Sequence, residues 1–331
     1  MKIAKFSLFI IIGLIIFFII RLWTFANQTL KIPVLKTLFT RGEIRTIDNY
    51  TNILILGVPG STFEGPELTD TIIVLNYNFD KNRAVLFGIP RDIWSNTLKD
   101  KINSAYVYGE AVKKGGGLIL AKAEVGSIIG LPIQYGVVVD FDDYKRIVDY
   151  LGGINIEIEQ SFVDKRYPIK GKEDNDCLGD EEYKCRYETV KFKKGLNKMD
   201  GETALKFIRS RNAIGAEGSD FGRIKRQQLV FNSIQAEVFN QIGFFNLNKM
   251  KDLYNTTNSF LERDISNQQA ASILKNIIFK RGFQNVKKTI PNELFFSPEY
   301  SSYDGRYVLV PKNDDYSNIH KYIRDSLNRR K

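Results

Sequence analysis

Three apolar runs of strand length follow one another closely: residues 51–58 (TNILILGV), 70–77 (DTIIVLNY) and 83–88 (RAVLFG). A strand with one wet face alternates apolar and polar residues, whereas an unbroken apolar run must be covered on both faces. A central sheet between layers of helix is therefore expected. The rest of the chain supplies those helices. Residues 117–129 (GLILAKAEVGSII) read as an amphipathic helix, 134–140 (QYGVVVD) as a strand, 144–151 as a helix and 154–159 (INIEIE) as an alternating strand, with Gly152 and Gly153 marking a break. Further on, residues 201–207 open a helix, 221–239 form a long one, and 247–260 and 267–279 form two more. Residues 307–310 (YVLV) read as a closing strand and 317–327 as a last, basic helix. Such alternation describes an α/β layered domain over residues 46–325.

Ahead of it the chain changes character. Lys2 and Lys5 precede an uncharged run, residues 6–20 (FSLFIIIGLIIFFII), apolar all round rather than along one stripe. With Arg21 snorkelling and Leu22, Trp23 and Phe25 adding length, residues 6–25 approach the ~20 residues that a bilayer core requires. The competing reading is a cleaved signal peptide, but no small-x-small cleavage site follows closely. The reading adopted is a single-pass anchor with a cytoplasmic N-terminus at residues 1–5, a linker at 26–45 and the domain outside the cell membrane.

Charge and rare residues narrow the chemistry. Lys and Arg total 48 against 38 Asp and Glu, a formal +10, which favours an anionic partner. The single histidine, His320, makes a histidine triad or a multi-histidine metal site improbable, so chemistry falls to carboxylates, Arg and Lys. The two cysteines, Cys177 and Cys185, share one polar loop (GKEDNDCLGDEEYKC), and their spacing suits a local disulfide in an oxidising compartment. A two-cysteine zinc site would need further ligands.

Three clusters are able to carry chemistry. Asp70 begins a buried strand, where a carboxylate can hold a hard cation such as Mg²⁺ or serve as an ordinary turn residue. Arg91 and Asp92 follow Pro90 at the exit of a strand, the end where open α/β sheets bind ligands, and Lys101 comes soon after. Densest of all is KFIRSRNAIGAEGSDFGRIKRQQ, with Lys206, Arg209, Arg211, Arg223, Lys225 and Arg226. On a helix starting near Ser219 or Asp220, Arg223, Arg226 and Gln227 share a face. Convergent guanidinium groups suit a pyrophosphate, and a solvated basic face is the plain alternative.

Five blocks in order, IPRDIW, KINSAYVYG, YGVVVDFDDYKRIVDYLGGINIEI, FKKGLNKMDGETALKFIRSR and DFGRIKRQQ, resemble the successive motifs of the LytR-CpsA-Psr family over residues 50–240. YVLVPKNDDYSNIHKYI resembles an extension found in some members, here within residues 241–325. The resemblance implies a three-layer α-β-α sandwich around a mixed central sheet. It also implies transfer of a glycan phosphate from a polyprenyl-pyrophosphate carrier to peptidoglycan. Asp70 would then help to bind Mg²⁺ or Mn²⁺, while Arg91, Arg209, Arg211, Arg223 and Gln227 would hold the pyrophosphate, with Lys101 and Asp220 lining the same site. Many members carry an Asp shortly after the first strand's LG, where this chain reads Leu56, Gly57, Val58, Pro59. Glu64 or Glu67 is the expected substitute, or else the metal site is incomplete.

The chemistry agrees with the residue inventory, since phosphoryl transfer asks for positioning and charge neutralisation rather than a protein nucleophile. Asp220 and Asp92 are the candidate bases. The rival functions are a membrane-tethered module that binds anionic wall polymer or lipid-linked precursor without chemistry, and a polyprenyl-pyrophosphate hydrolase. A nucleic-acid partner is not expected, because an exported domain without a recognition-helix or zinc-finger pattern does not meet one.

Overall fold

The computed structural model of the chain describes residues 16–17, 19–39, 44–59, 68–172, 174–241, 247–258, 261–279, 283–299, 303–313 and 315–328. Its strands are β1 (Tyr50–Val58), β2 (Thr71–Asn78), β3 (Arg83–Gly88), β4 (Trp94–Ser95), β5 (Asp100–Lys101), β6 (Tyr135–Asp140), β7 (Ile154–Ile158), β8 (Phe162–Pro168), β9 (Tyr187–Phe192), β10 (Gly195–Met199), β11 (Glu262–Arg263), β12 (Gln284–Thr289), β13 (Phe295–Phe296) and β14 (Val310–Pro311). Six of them form one mixed sheet in the order β11-β6-β1-β2-β3-β12. β2 is antiparallel to its neighbours β1 and β3, while β6 runs parallel to β1 and β12 parallel to β3.

The apolar runs are unbroken because alternate residues enter two different cores. Leu54, Leu56, Ile72, Val74, Val85 and Phe87 face one side. Ile53, Tyr77 and Ala84 face the other, with Ile265 and Ile273. The helices are α1 (Val34–Phe39), α2 (Ala105–Val112), α3 (Gly117–Ile129), α4 (Phe141–Tyr150), α5 (Gly201–Arg209), α6 (Asp220–Gln241), α7 (Leu247–Asn258), α8 (Asn267–Phe279) and α9 (Ser317–Asn328). α3 and α9 cover the first face through Leu118, Val125, Ile128, Ile319 and Ile323. α8 covers part of the second, and α6 lies across β3 so closely that a Cβ on Gly88 would sit 2.2 Å from Ile224 Cγ2.

A third core joins α4, α5 and α6 to the β7–β10 and β8–β9 pairs, through Phe141, Val148, Ile156, Phe162, Phe192, Phe207 and Val230. Both short helices of this region are started by an aspartate. Asp140 accepts from the Asp143 N–H at 2.7 Å and Asp200 from the Thr203 N–H at 2.8 Å, each satisfying a donor that the first turn leaves open. Residues 169–186 form an exposed loop between β8 and β9 that carries the Cys177–Cys185 disulfide.

Several expectations change. The β8–β9 pair and β12 lie in stretches from which no strand was expected. The closing strand begins at Val310 rather than Tyr307, although Leu309 bridges Ile93. At the junction of the expected anchor and linker, residues 25–29 form a π-helical turn, and within the linker 34–39 form an α-helix. The expected membrane helix lies largely outside the described residues, and no helix among the described residues is long and apolar enough to cross a membrane.

Candidate functional site

At the end of the sheet where β1 gives way to β2, Asp70 donates its N–H to the Gly57 carbonyl at 2.8 Å, which fixes it against β1. Its carboxylate is ion-paired with the Arg91 guanidinium, carried on the turn after β3. Arg91 Nε also lies 3.5 Å from Asp92 Oδ2, and the ammonium of Lys101 reaches Asp92 Oδ1 at 2.7 Å. Asp92 is buried, so an ionised carboxylate there needs both cations. This places Asp92 as a bridge between Arg91 and Lys101, and a proton acceptor at that place would have to give up an ion pair.

Beside Asp70 opens a cleft of about 150 Å³, lined by Asp70, Thr71, Phe141, Tyr167, Pro168, Ile208, Arg209, Arg211, Arg223 and Gln227. Each cation arrives on a different element. Arg209 ends α5, with its guanidinium 4.5 Å above the Phe141 ring. Arg211 follows on the exposed chain. Arg223 and Gln227 project from α6, one turn apart; Arg223 is only 4% exposed, and the Gln227 amide donates to the Asp70 carbonyl at 3.4 Å. Three guanidinium groups against one carboxylate make the cleft a receptor for an anion with several oxygens. The ring beneath it is neutral: burial pushes the Tyr167 hydroxyl up to about 12.

Of the eight expected binding, catalytic and metal positions, Asp70, Arg209, Arg211, Arg223 and Gln227 line the cleft, and Arg91 adjoins it through Asp70. Lys101 does not line it and connects only through Asp92 and Arg91. Asp220 opens α6, but its side chain lies outside the described residues. Glu64 and Glu67 also lie outside them. Arg226 turns away from the cleft: it donates to the Phe207 carbonyl at 2.9 Å and to the Glu217 carboxylate at 2.7 Å. Lys206 pairs with Glu188 and Lys225 with Glu159, so half of the basic cluster serves the fold. Phe141, Tyr167 and Asp164, which holds the loop after α5, were not foreseen; their neighbours in sequence carry no signal for these roles.

The donor set for a divalent metal is sparse. Among the described residues, Asp70 is the one carboxylate on the cleft wall, and no three His, Cys, Asp or Glu gather as a metal group. Mg²⁺ is commonly held by one or two carboxylates together with phosphate oxygens and water. Asp70 fits such a phosphate-borne ion and does not make a closed protein site.

A sequence model of the LytR_cpsA_psr family matches residues 34–325. The Regulatory protein MsrR of Staphylococcus aureus is 26% identical over 83% of this chain and 75% of its own length. A polyisoprenyl-teichoic acid–peptidoglycan teichoic acid transferase, TagU of Bacillus mycoides, is 26% identical over 72% of this chain and 67% of its own. Among solved structures, B. subtilis TagV superposes with a TM-score of 0.59 at 21% identity, covering 86% of this chain and all of that one. YwtF (TagT) with bound octaprenyl pyrophosphate lipid superposes with a TM-score of 0.54 at 19% identity, covering 88% of this chain and 96% of that one. These likenesses carry the fold, and the family match extends over nearly the whole described chain. The chain belongs to the LytR-CpsA-Psr family.

Proposed function

We propose that this protein is a membrane-anchored phosphotransferase. It would move a teichoic-acid-like or capsule-like glycopolymer from a polyprenyl-pyrophosphate carrier to peptidoglycan. The observation that carries the reading is the convergence of Arg209, Arg211 and Arg223 on one cleft at the end of the sheet, beside Asp70 and Arg91. A pyrophosphate offers oxyanions enough for all of them. In the reaction the acceptor hydroxyl oxygen bonds to the glycan-side phosphorus, the bridging P–O bond breaks, and polyprenyl phosphate departs with the bridging oxygen. Arg209, Arg211 and Arg223 orient the two phosphates and neutralise the charge that builds on the leaving group. The sequence offers Asp220 as the base that would take the hydroxyl proton. Bound at Asp70, Mg²⁺ or Mn²⁺ supplies further charge neutralisation at the phosphate oxygens.

The apolar run at residues 6–20, led by Lys2 and Lys5, supports a single-pass anchor in the cell membrane with the domain outside. The cleft would then meet a lipid-linked donor at the bilayer surface. Pro59, at the place where many relatives carry an Asp, favours the second reading, a non-catalytic binder of lipid-linked precursor or wall polymer.

Transfer from a lipid-linked donor to peptidoglycan fragments, measured with the full chain and with Arg209→Ala and Arg211→Ala, separates the two. Loss of a charge-assisted contact in such a site costs roughly 2–4 kcal/mol, so each variant should be ~30- to 1000-fold slower with an unchanged circular dichroism spectrum. Tight donor binding by the full chain without turnover would favour the binder. Wild-type rates in both variants would overturn the role given to the cleft.

A further inference from the structure

Asp164 lies in β8 with 0% of its surface exposed, a place where an ionised carboxylate is costly unless its oxygens are saturated. Three of their four donors come from one short segment of chain. Oδ2 accepts the Ser210 hydroxyl at 2.7 Å, the Arg211 N–H at 3.0 Å and the Asn212 N–H at 3.1 Å, and Oδ1 accepts the Arg166 N–H at 2.9 Å. Burial pushes the Asp164 carboxyl up, but the Ser210 hydroxyl and the backbone donors of Asn212, Arg166 and Arg211 outweigh it and hold the group below its ordinary value.

Arg226, 2% exposed, grips the same segment. Its guanidinium donates to the carbonyls of Phe207, Ser210 and Glu217 and to the Glu217 carboxylate, and it stacks 4.8 Å from the Phe162 ring. Ser210 is therefore held at both polar groups, its hydroxyl by Asp164 and its carbonyl by Arg226. α5 ends with Arg209, and Ser210 leaves it with φ −54° and ψ 130°. Arg209 and Arg211 flank Ser210 and both line the cleft, so holding Ser210 at two points fixes the backbone from which both guanidinium groups set out.

We infer that Asp164 and Arg226 are positioning residues for the anion site, a buried clamp on Ser210 that aims Arg209 and Arg211 at one pyrophosphate. The inference rests on the pyrophosphate reading for its ligand, though not for the clamp itself. Neither residue lines the cleft, and each acts only through the segment it holds.

The test is titration of the full chain with inorganic pyrophosphate, alongside backbone amide exchange. Asp164→Asn replaces an acceptor of three donors by a group that itself donates, and it should weaken pyrophosphate binding about tenfold or more. Ser210→Ala removes a single hydroxyl, and it decides the matter if Asp164→Asn fails to fold. It should weaken binding several-fold and speed exchange at the Arg211 and Asn212 amides. In an Arg211→Ala background, Ser210→Ala should cost much less than in the wild type, because the cation being aimed is already gone. Binding that is unchanged in folded Ser210→Ala, or an equal loss in both backgrounds, would overturn the clamp. A wild-type protein that ignores pyrophosphate would instead sink the functional reading, and amide exchange would still decide whether the clamp exists.

Discussion

Asp70 is the residue at which the metal question can be decided by binding alone. Among the described residues it is the single carboxylate on the cleft wall, paired with Arg91, and the two side chains are 23% and 17% exposed. Partial exposure sets the effective dielectric between the ~20 of a protein surface and the 80 of water. At about 40, a carboxylate ~5 Å from one phosphate charge repels it by roughly 1.7 kcal/mol. Without metal, Asp70→Asn should therefore bind inorganic pyrophosphate about 10- to 30-fold more tightly, because the repulsion is gone and Arg91 is released towards the ligand. With Mg²⁺ the order should reverse. The wild type gains a cation held jointly by Asp70 and the phosphates, and by linkage Mg²⁺ must improve pyrophosphate binding by the factor that pyrophosphate improves Mg²⁺ binding. Asp70→Asn should bring that factor close to one, and Pro59→Asp should raise it by supplying the second carboxylate that the family resemblance led us to expect there. The assay is calorimetric titration of the three proteins in Mg²⁺ and in chelator. Identical affinities with and without Mg²⁺ in all three, with no gain in metal-free Asp70→Asn, would refute the reasoning.

Two further outcomes follow from the packing around the cleft. Gly88→Ala would place a methyl 2.2 Å from Ile224 Cγ2 and push α6 outward; it should destabilise the fold by about 1–3 kcal/mol and weaken pyrophosphate binding, since Arg223 and Gln227 ride on α6, and Ile224→Ala should restore part of both losses in thermal melts and titrations. Asp143 is pushed up to about 6, first by burial and then by the Asp140 carboxylate. Because its folded pKa exceeds its unfolded value, the folded state holds the extra proton between about pH 4 and 6, and this contribution to stability is lost as pH rises through that window. Asp143→Asn should flatten that part of the melting temperature against pH profile, by an amount equivalent to at most about 3 kcal/mol before solvent screening, and an unchanged profile would show that Asp143 titrates normally.

The sheet's centre was legible because β1, β2 and β3 are buried on both faces, and burial writes itself into sequence as unbroken apolar runs. β8 (FVDKRYP) and β9 (YETVKF) were not, because their outward faces carry charges that also suit a loop. β12 (QNVKKT) is held at the sheet edge largely by backbone pairing with β3, which leaves little trace in side chains. Residue type and helical spacing were enough to nominate Arg223 and Gln227. The same spacing nominated Arg226, and there it misled: periodicity assigns a face, but only the packed loop shows a guanidinium bending back onto the carbonyls of Phe207 and Ser210. Asp164 lies far along the chain from the arginines it serves, and Phe141 and Tyr167 reach the cleft from two other elements, so no local pattern could join them.

That dispersal explains how the site stands without its ligand. Arg209 and Arg211 come from the end of α5, Arg223 from α6, and Asp70 with Arg91 from the rim of the sheet, so three packed bodies must meet before the cations converge. Like charges brought together in this way oppose folding. Their opposition is met locally: Arg209 lies over Phe141, Arg91 is paired with Asp70, and Ser210 is gripped by a buried carboxylate and a buried guanidinium. The apolar core of α4, α5, α6, β7 and β8 then carries the remaining cost. On the proposed reading, a bound pyrophosphate would offset the mutual repulsion of these guanidinium groups, and that relief would contribute to its binding free energy.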